Sequence, residues 1–246
     1  MTTWIVGDPH GCAQELNTLI ERLGLSDGDQ LLIVGDLFHR GPDPAGVMDL
    51  MKAAGAKFIL GNHELRILQR FHLDPKHADA RDRPALRTDF PALREEDLAG
   101  DGGSICRVPA ERRAEVVTFL QEHQGFFLEN SDIPSAGRTP DGRPWCAVHA
   151  GMVQGKPPRE TEPEQLVSMR RLSGRGRPYW YEVYTGNCLI LFGHTPSQIP
   201  RAHRVRGRLV SLGLDTGCVY GGSLTAYSPE LDEFTQVAAE AVYATR

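Results

Sequence analysis

Five short segments place carboxylate, amide and imidazole side chains in a fixed order along the chain. They are Gly7-Asp8-Pro9-His10-Gly11, Gly35-Asp36 with Arg40-Gly41, Gly61-Asn62-His63-Glu64, Val148-His149-Ala150-Gly151 and Gly193-His194-Thr195. Two divalent ions held ~3.5–4 Å apart need one shared anionic ligand, several oxygen and imidazole donors, and open positions for water and substrate. Asp36 is the natural bridge. Asp8 and His10, one residue apart, can turn toward one ion, and Asn62, His149 and His194 can close on the second. A mixed Asp, Asn and His shell suits Mn²⁺, the expected ion, or Fe or Zn²⁺, better than Mg²⁺ or Ca²⁺, which favour all-oxygen shells. A hydroxide shared by such ions, its pKa brought from about 15.7 toward ~7, is a nucleophile at neutral pH. Arg40 can neutralise oxyanions, and His63, next to Asn62, is placed to protonate a leaving oxygen as general acid.

The elements that must carry these residues follow from the runs before them. Trp4-Ile5-Val6, Leu31-Leu32-Ile33-Val34, Phe58-Ile59-Leu60, Trp145-Cys146-Ala147-Val148 and Leu189-Ile190-Leu191-Phe192 each read as a buried strand feeding a loop. Ala13 to Leu23 carries Leu16, Leu19, Ile20 and Leu23 at helical spacing and stops at Gly24, and Pro44 to Ala54 repeats the pattern with Val47, Leu50 and Met51. Strands are expected at 3–8, 30–36 and 57–61, a βαβαβ start with parallel pairing and the site at the carboxyl ends of the strands. Residues 70–142 are polar and rich in Arg, Asp, Pro and Gly, with one amphipathic helix near Ala110 to His123, and read as an insertion covering the site. A short helix near Glu164 to Leu172 and strands at 188–193, 208–213, 223–228 and 233–238 complete a β-rich second half. Two packed mixed sheets with helices outside, an α/β fold of the αββα sandwich type, accommodate both halves in one domain spanning 1–246.

Composition bounds the rest. With 246 residues and 40% hydrophobic content the chain can bury one substantial core. No stretch approaches the ~18 apolar residues of a membrane span, so a soluble, cytoplasmic protein is expected. Cys12, Cys106, Cys146, Cys188 and Cys218 have no paired spacing and read as reduced thiols. The net charge of -5 gives no sign of a nucleic-acid surface; only Arg201 to Arg208 with His203 forms a local basic cluster. Arg outnumbers Lys by 23 to 4, which compositional bias explains more simply than phosphate recognition. His72, His77, His123 and His203 lie outside the five segments and read as solvated surface. Tyr220, between glycines, can stack on a base or pack its loop down. A lone Asp or Asn at a strand end is usually a turn or helix cap, but five ordered segments together favour a metal site.

The five segments resemble the calcineurin-like metallophosphoesterases, in particular the bacterial and phage branch related to Ser/Thr protein phosphatases and symmetrical diadenosine tetraphosphatases. The match spans residues 4–194, and Leu214 through Ala226 resembles the closing loop of the same branch. The resemblance implies an αββα sandwich, two metals and hydrolysis of phosphoesters or phosphoanhydrides by in-line attack on phosphorus. Carried over by position, Asp8, His10 and Asp36 would hold one metal, and Asp36, Asn62, His149 and His194 the other. A second phosphate-binding Arg would be Arg170 or Arg171, with Ser168 where the family has Trp. The departure is His39, which stands where the family has an Asp that accepts a hydrogen bond from the acid histidine. A phosphatase of phosphoprotein or small phosphomonoesters is the first expectation. A phosphoanhydride hydrolase of dinucleoside polyphosphates is the second, and a metal-binding regulatory protein without turnover the third.

Overall fold

Successive residues of single strands go to different cores, which is why the apolar runs are continuous. The computed structural model describes residues 1–73, 87–88, 90, 93, 99–100, 103–104 and 107–245. In β1 (Thr3–Val6) Trp4 and Val6 face a helical layer while Ile5 faces the second sheet; in β2 (Gln30–Ile33) Leu31 and Ile33 repeat the first choice and Leu32 the second. β3 (Lys57–Phe58) completes a parallel trio, β2 lying beside both β1 and β3.

Two five-stranded sheets form among the described residues. In chain order, β4 (Ala99–Gly100) and β5 (Gly103–Ser104) make a separate hairpin; β6 (Phe127–Glu129), β7 (Trp145–Val148), β8 (Leu189–Phe192), β9 (Arg201–Val205) and β10 (Arg208–Gly213) form one sheet; and β11 (Ser223–Ser228) and β12 (Glu233–Ala238) extend the first. The orders are β12-β11-β1-β2-β3 and β6-β7-β8-β10-β9, each a parallel trio with antiparallel neighbours. Trp145, Leu189, Leu191, Leu212 and Tyr227 pack with Ile5 and Leu32 between the sheets.

Helices close the outer faces. α1 (Ala13–Leu23) ends at Gly24, whose left-handed φ of 55° lets its N–H reach back to Ile20 and Glu21. α2 (Pro44–Ala53) starts with Pro44 and is capped by the Asp43 carboxylate, which accepts from the Gly46 N–H at 2.8 Å. These two, with α3 (Asn62–Arg70) and α4 (Arg113–Leu120), bury Leu16, Met48, Leu68 and Val117 against the first sheet. α5 (Pro163–Ser168) and α6 (Trp180–Val183) set Leu166 and Trp180 on Val148, Ile190 and Phe192. The expected αββα sandwich is the fold observed.

Several expectations change. β3 stops at Phe58, because past it Ile59 and Leu60 bond to Ile33 and to the Gly125 carbonyl outside any regular ladder. The stretch 62–70, which carries no helix in the pattern above, is a helix. β9 and α6 are likewise absent from that pattern: β9 is an edge strand whose residues alternate half-buried and exposed, so it lacks an apolar run. The expected insertion divides. Residues 74–86 and 94–98 lie outside the described residues, and the covering role expected of them lies there too. From 107 onward the chain belongs to the core, since Val116, Val117, Phe119 and Leu120 are buried in α4 and β6 pairs with β7. His123 is buried, not solvated, and its Nδ1 accepts from the Gly125 N–H at 2.9 Å. Cys12, Cys146, Cys188 and Cys218 are free thiols, while Cys106 and His77 are outside the described residues. No helix among the described residues is long and apolar enough to cross a membrane.

Candidate dimetal centre

The predicted ligands lie just past the carboxyl ends of β1, β2, β7 and β8 and at the first residue of α3. Four polar residues here have left-handed backbones: His10 (φ 45°), Asp36 (φ 53°), Arg40 (φ 74°) and His194 (φ 63°). Outside Gly this conformation is uncommon and costs on the order of 1 kcal/mol, and its concentration at strand ends marks a functional site.

Asp36 is the centre of the group. Its carboxylate lies 3.3 Å from His149 Nε2, 3.7 Å from His10 Nε2 and 3.9 Å from His63 Nε2. The donor atoms of Asp8, His10 and Asp36 are all within 4.8 Å of one another, and so are those of Asp36, His149 and His194. Asn62 Oδ1 is 3.3 Å from His149 Nε2, which places it in the second group. His149 donates Nδ1–H to the Val34 carbonyl at 2.7 Å, which aims Nε2 inward. Asp8 Oδ2 accepts from the His194 N–H at 2.8 Å, linking the two halves.

These residues fit metal ions by two observations. Asp8 Oδ1 and His10 Nδ1 are buried and find no hydrogen-bond partner among the described residues, which a stable core avoids unless another ligand completes them. The charges are also unbalanced. Burial, helped by neighbouring cationic groups, brings His10 and His194 down to about 3, so both are neutral as ligation requires. Burial also opposes charge on His149, yet Asp36, with Asp8 and Glu64, outweighs it and pushes His149 up to about 10. Burial and Asp215 raise Asp8, whereas the surrounding histidines overcome burial and hold Asp36 well below the usual carboxylate range. A cationic centre removes these conflicts together.

The loops are clamped by Glu64, a residue of the third segment outside the expected ligand set. Glu64, fully buried at the third position of α3, accepts from the backbone N–H groups of Asp36 (2.8 Å), Leu37 (2.9 Å) and Gly61 (3.0 Å). It ties the Asp36 loop to the Asn62 loop through one carboxylate. Glu64→Ala should lower unfolding free energy by about 3 kcal/mol in urea titration, because three buried donors lose their acceptor. A loss under 1 kcal/mol would count against the clamp. Close approach also needs Gly193, where a Cβ would collide with Asp8 Oδ1.

A cavity of about 210 Å³ opens over the group, lined by His10, Asp36, Asn62, His63 and His194 together with Arg40, Arg66 and Arg170. Arg170 donates Nη2 to the His194 carbonyl at 3.0 Å. Arg171 turns away, stacked 3.7 Å over Tyr179 and bonded to the Arg177 carbonyl, so Arg170 is the one of the pair at the cavity. Arg66, Asp215 and Tyr220, not among the expected site residues, also line it. Arg66 is four residues past Asn62 on one helical face, a signal visible only once 62–70 is read as helix. Asp215 is buried, accepts from the Gly217 N–H at 3.0 Å, and is raised to about 6, chiefly by burial.

His63 and His39 are brought together without a hydrogen bond. Their rings lie against each other, centroids 4.1 Å apart and tilted by 33°. His39 is fully buried, and neither of its ring nitrogens, nor His63 Nδ1, has a partner among the described residues. Burial and the neighbouring His63 keep His39 neutral, and burial likewise lowers His63.

Comparison with known proteins places this geometry in context. A family model for calcineurin-like phosphoesterases matches residues 1–211. An asymmetrical bis(5'-nucleosyl)-tetraphosphatase PrpE from Halalkalibacterium halodurans is 30% identical, covering 93% of this chain and 90% of its own. A symmetrical bis(5'-nucleosyl)-tetraphosphatase from Vibrio campbellii is 32% identical, covering 92% and 94%. Among solved structures, one provisionally described as a diadenosine tetraphosphatase superposes with a TM-score of 0.66 at 25% identity, over 96% of this chain and 93% of the other.

Proposed function

The chain belongs to the calcineurin-like phosphoesterase family, a family of metal-dependent hydrolases with a dimetal centre, and from that premise we propose that it cleaves a phosphoanhydride bond of dinucleoside polyphosphates. The carrying observation is the convergence of Arg40, Arg66 and Arg170 on the cavity that holds the ligand groups. Three guanidinium groups suit a chain of phosphates better than the single dianion of a phosphomonoester. Relatives named as tetraphosphatases support the same reading, and the phosphoprotein reading, first from sequence alone, becomes second. The readings share one dimetal chemistry and differ in what the cavity walls hold.

Asp8, His10 and Asp36 would hold one ion and Asp36, Asn62, His149 and His194 the other, with Mn²⁺ the expected metal. Bound there, divalent ions supply a water acidic enough to attack phosphorus at neutral pH and neutralise charge in the transition state. The side chains do the rest. Arg40, Arg66 and Arg170 grip non-bridging phosphate oxygens and set the scissile phosphorus over the ligand group. His63, at the cavity wall beside Asn62, stands on the leaving-group side, where neutral His39 beside it gives its protonated form no support and a leaving group that departs as a stable anion needs little. The Val34 carbonyl orients His149, and the buried Asp36 keeps the floor anionic.

Chelator-stripped protein restored with Mn²⁺ tests the proposal on diadenosine tetraphosphate, a phosphoserine peptide and p-nitrophenyl phosphate in parallel. The expected kcat/KM on the dinucleotide exceeds that on the peptide by about 100-fold, the equivalent of one or two charge-assisted phosphate contacts. ADP as sole product would mark symmetrical cleavage, and AMP with ATP asymmetrical cleavage. Equal or faster turnover of the peptide would overturn the reading.

A further inference from the structure

One side chain of the cavity wall, Tyr220, is used by neither the ligand set nor the phosphate grip. Arg40 donates from Nη1 to its phenol oxygen at 2.5 Å, and the guanidinium lies 5.7 Å from the ring centroid. Arg40 needs such a partner. It projects from a left-handed backbone, and its Nε is buried with no partner among the described residues. Fixing one donor on Tyr220 leaves the others to aim at an oxyanion, and a long side chain fixed in advance loses less freedom on binding.

Tyr220 is held in turn from behind. Its neighbours on either side are bonded to the last described stretch of the chain: the Val219 carbonyl accepts from the N–H groups of Tyr243 and Ala244 at 3.0 Å each, and the Gly222 carbonyl from that of Ala239 at 2.8 Å. Tyr220 itself forms a β-bridge with Val242. That stretch is anchored on α1 by Glu15, a buried carboxylate whose Oε1 accepts from the Tyr243 hydroxyl at 2.8 Å and the Glu240 N–H at 3.0 Å. The path therefore runs from Glu15 through Tyr243 to the Val219 carbonyl, and from Tyr220 to Arg40. Loop and strap both lie beyond residue 211, where the family match ends.

We infer that Tyr220 is a positioning residue for the phosphate-gripping Arg40, and that residues 239–244 are a strap, latched on Glu15, that keeps Tyr220 in register. The inference rests on the reading of Arg40 given above. It goes further in making residues 239–244, past both the family match and the closing-loop resemblance, part of substrate binding.

The test compares full-length, metal-loaded wild type with Tyr220→Phe, Tyr220→Ala and Tyr243→Phe, and Tyr220→Phe with and without Arg40→Ala. Tyr220→Phe keeps the ring and removes the hydroxyl. It should raise KM about 10-fold with kcat within about threefold, as expected for one lost bond to a charged group whose effect is uniform binding. Tyr243→Phe should raise KM about threefold. On the Arg40→Ala background Tyr220→Phe should change KM by less than about twofold, because the two act as one unit. Silence of Tyr220→Phe with impairment by Tyr220→Ala would reassign Tyr220 to stacking or packing and overturn the inference, as would full additivity with Arg40→Ala. An unchanged KM in Tyr243→Phe would overturn the strap. Calorimetric binding of inorganic phosphate repeats the comparison without turnover. If wild type ignores diadenosine tetraphosphate, the proposed substrate falls, while the Arg40–Tyr220 coupling is still decided on phosphate binding and p-nitrophenyl phosphate.

Discussion

Asp36→Asn should reduce kcat/KM by at least about 10³-fold and lower the Mn²⁺ retained per chain after gel filtration. Asp36 is the one residue common to both groups of potential ligands, and three histidine nitrogens surround its carboxylate within 4 Å. A bridging position needs two anionic lone pairs directed at two centres; an amide keeps one acceptor and places an NH₂ where the second was. The loss corresponds to about 4 kcal/mol of transition-state stabilisation, reasonable for disrupting a shared ligand and the alignment of the other residues with it. Shape is conserved, and the clamp on the loop survives, because Glu64 bonds the backbone of Asp36 rather than its side chain. Asp215→Asn is the control. Asp215 is also buried and borders the cavity, but it belongs to neither group, so its loss should stay within about tenfold. Two retained ions per chain and a rate within tenfold of wild type in Asp36→Asn would remove Asp36 from the bridging position.

The candidate ligands that the structure brings together were legible because strand ends impose an order on the sequence. Buried parallel strands need unbroken apolar runs, and a run such as Leu31 to Val34 followed by Gly35-Asp36 can be read without knowing where it packs. The bounds of α1 and α2 were equally plain, since Gly24 and Pro44 act locally. What escaped depends on distant partners. Arg66 reaches the cavity only because Asn62 starts a helix, and Gly61-Asn62 looks like a turn when read alone. Asp215 and Tyr220 enter from a loop about 180 residues past Asp36 and Arg40, placed by β11 pairing with β1. His123 looked solvated because its neighbours are polar, yet it is buried just past α4 and accepts from the Gly125 N–H. The helix expected near Ala110 to His123 is α4, but the polar average of 70–142 concealed its place in the core and concealed β6 altogether, because short buried pieces in a long hydrophilic stretch leave little trace in composition.

His39→Asp should raise the rate on alkyl phosphates, phosphoserine peptide included, by about 100-fold while changing hydrolysis of diadenosine tetraphosphate by less than about threefold. The basis is geometric. His63 faces the cavity with Nδ1 buried and without a partner among the described residues, and the side chain next to it is an imidazole ring, tilted against it, that makes no hydrogen bond to it. A general acid works when its ring is fixed in one tautomer and its positive form is stabilised, as a neighbouring carboxylate does and an adjacent neutral ring does not. General acid catalysis contributes on the order of 10²–10⁴-fold where the leaving group is a poor one. An alkoxide is such a group and must be protonated as it departs, whereas a nucleotide phosphate departs as a stable anion. The wild-type pairing thus withholds assistance from phosphoesters of alcohols and costs an anhydride substrate little, which makes His39 a filter on leaving groups consistent with the proposed substrate. His39→Asn controls for size, since it matches Asp in shape but is a weaker, uncharged acceptor, and it should recover only a small part of the gain. If His39→Asp accelerates both substrate classes equally, the departure from the family pattern has no bearing on leaving-group choice. If it slows both, His39 contributes to the site through its ring rather than by the absence of a carboxylate.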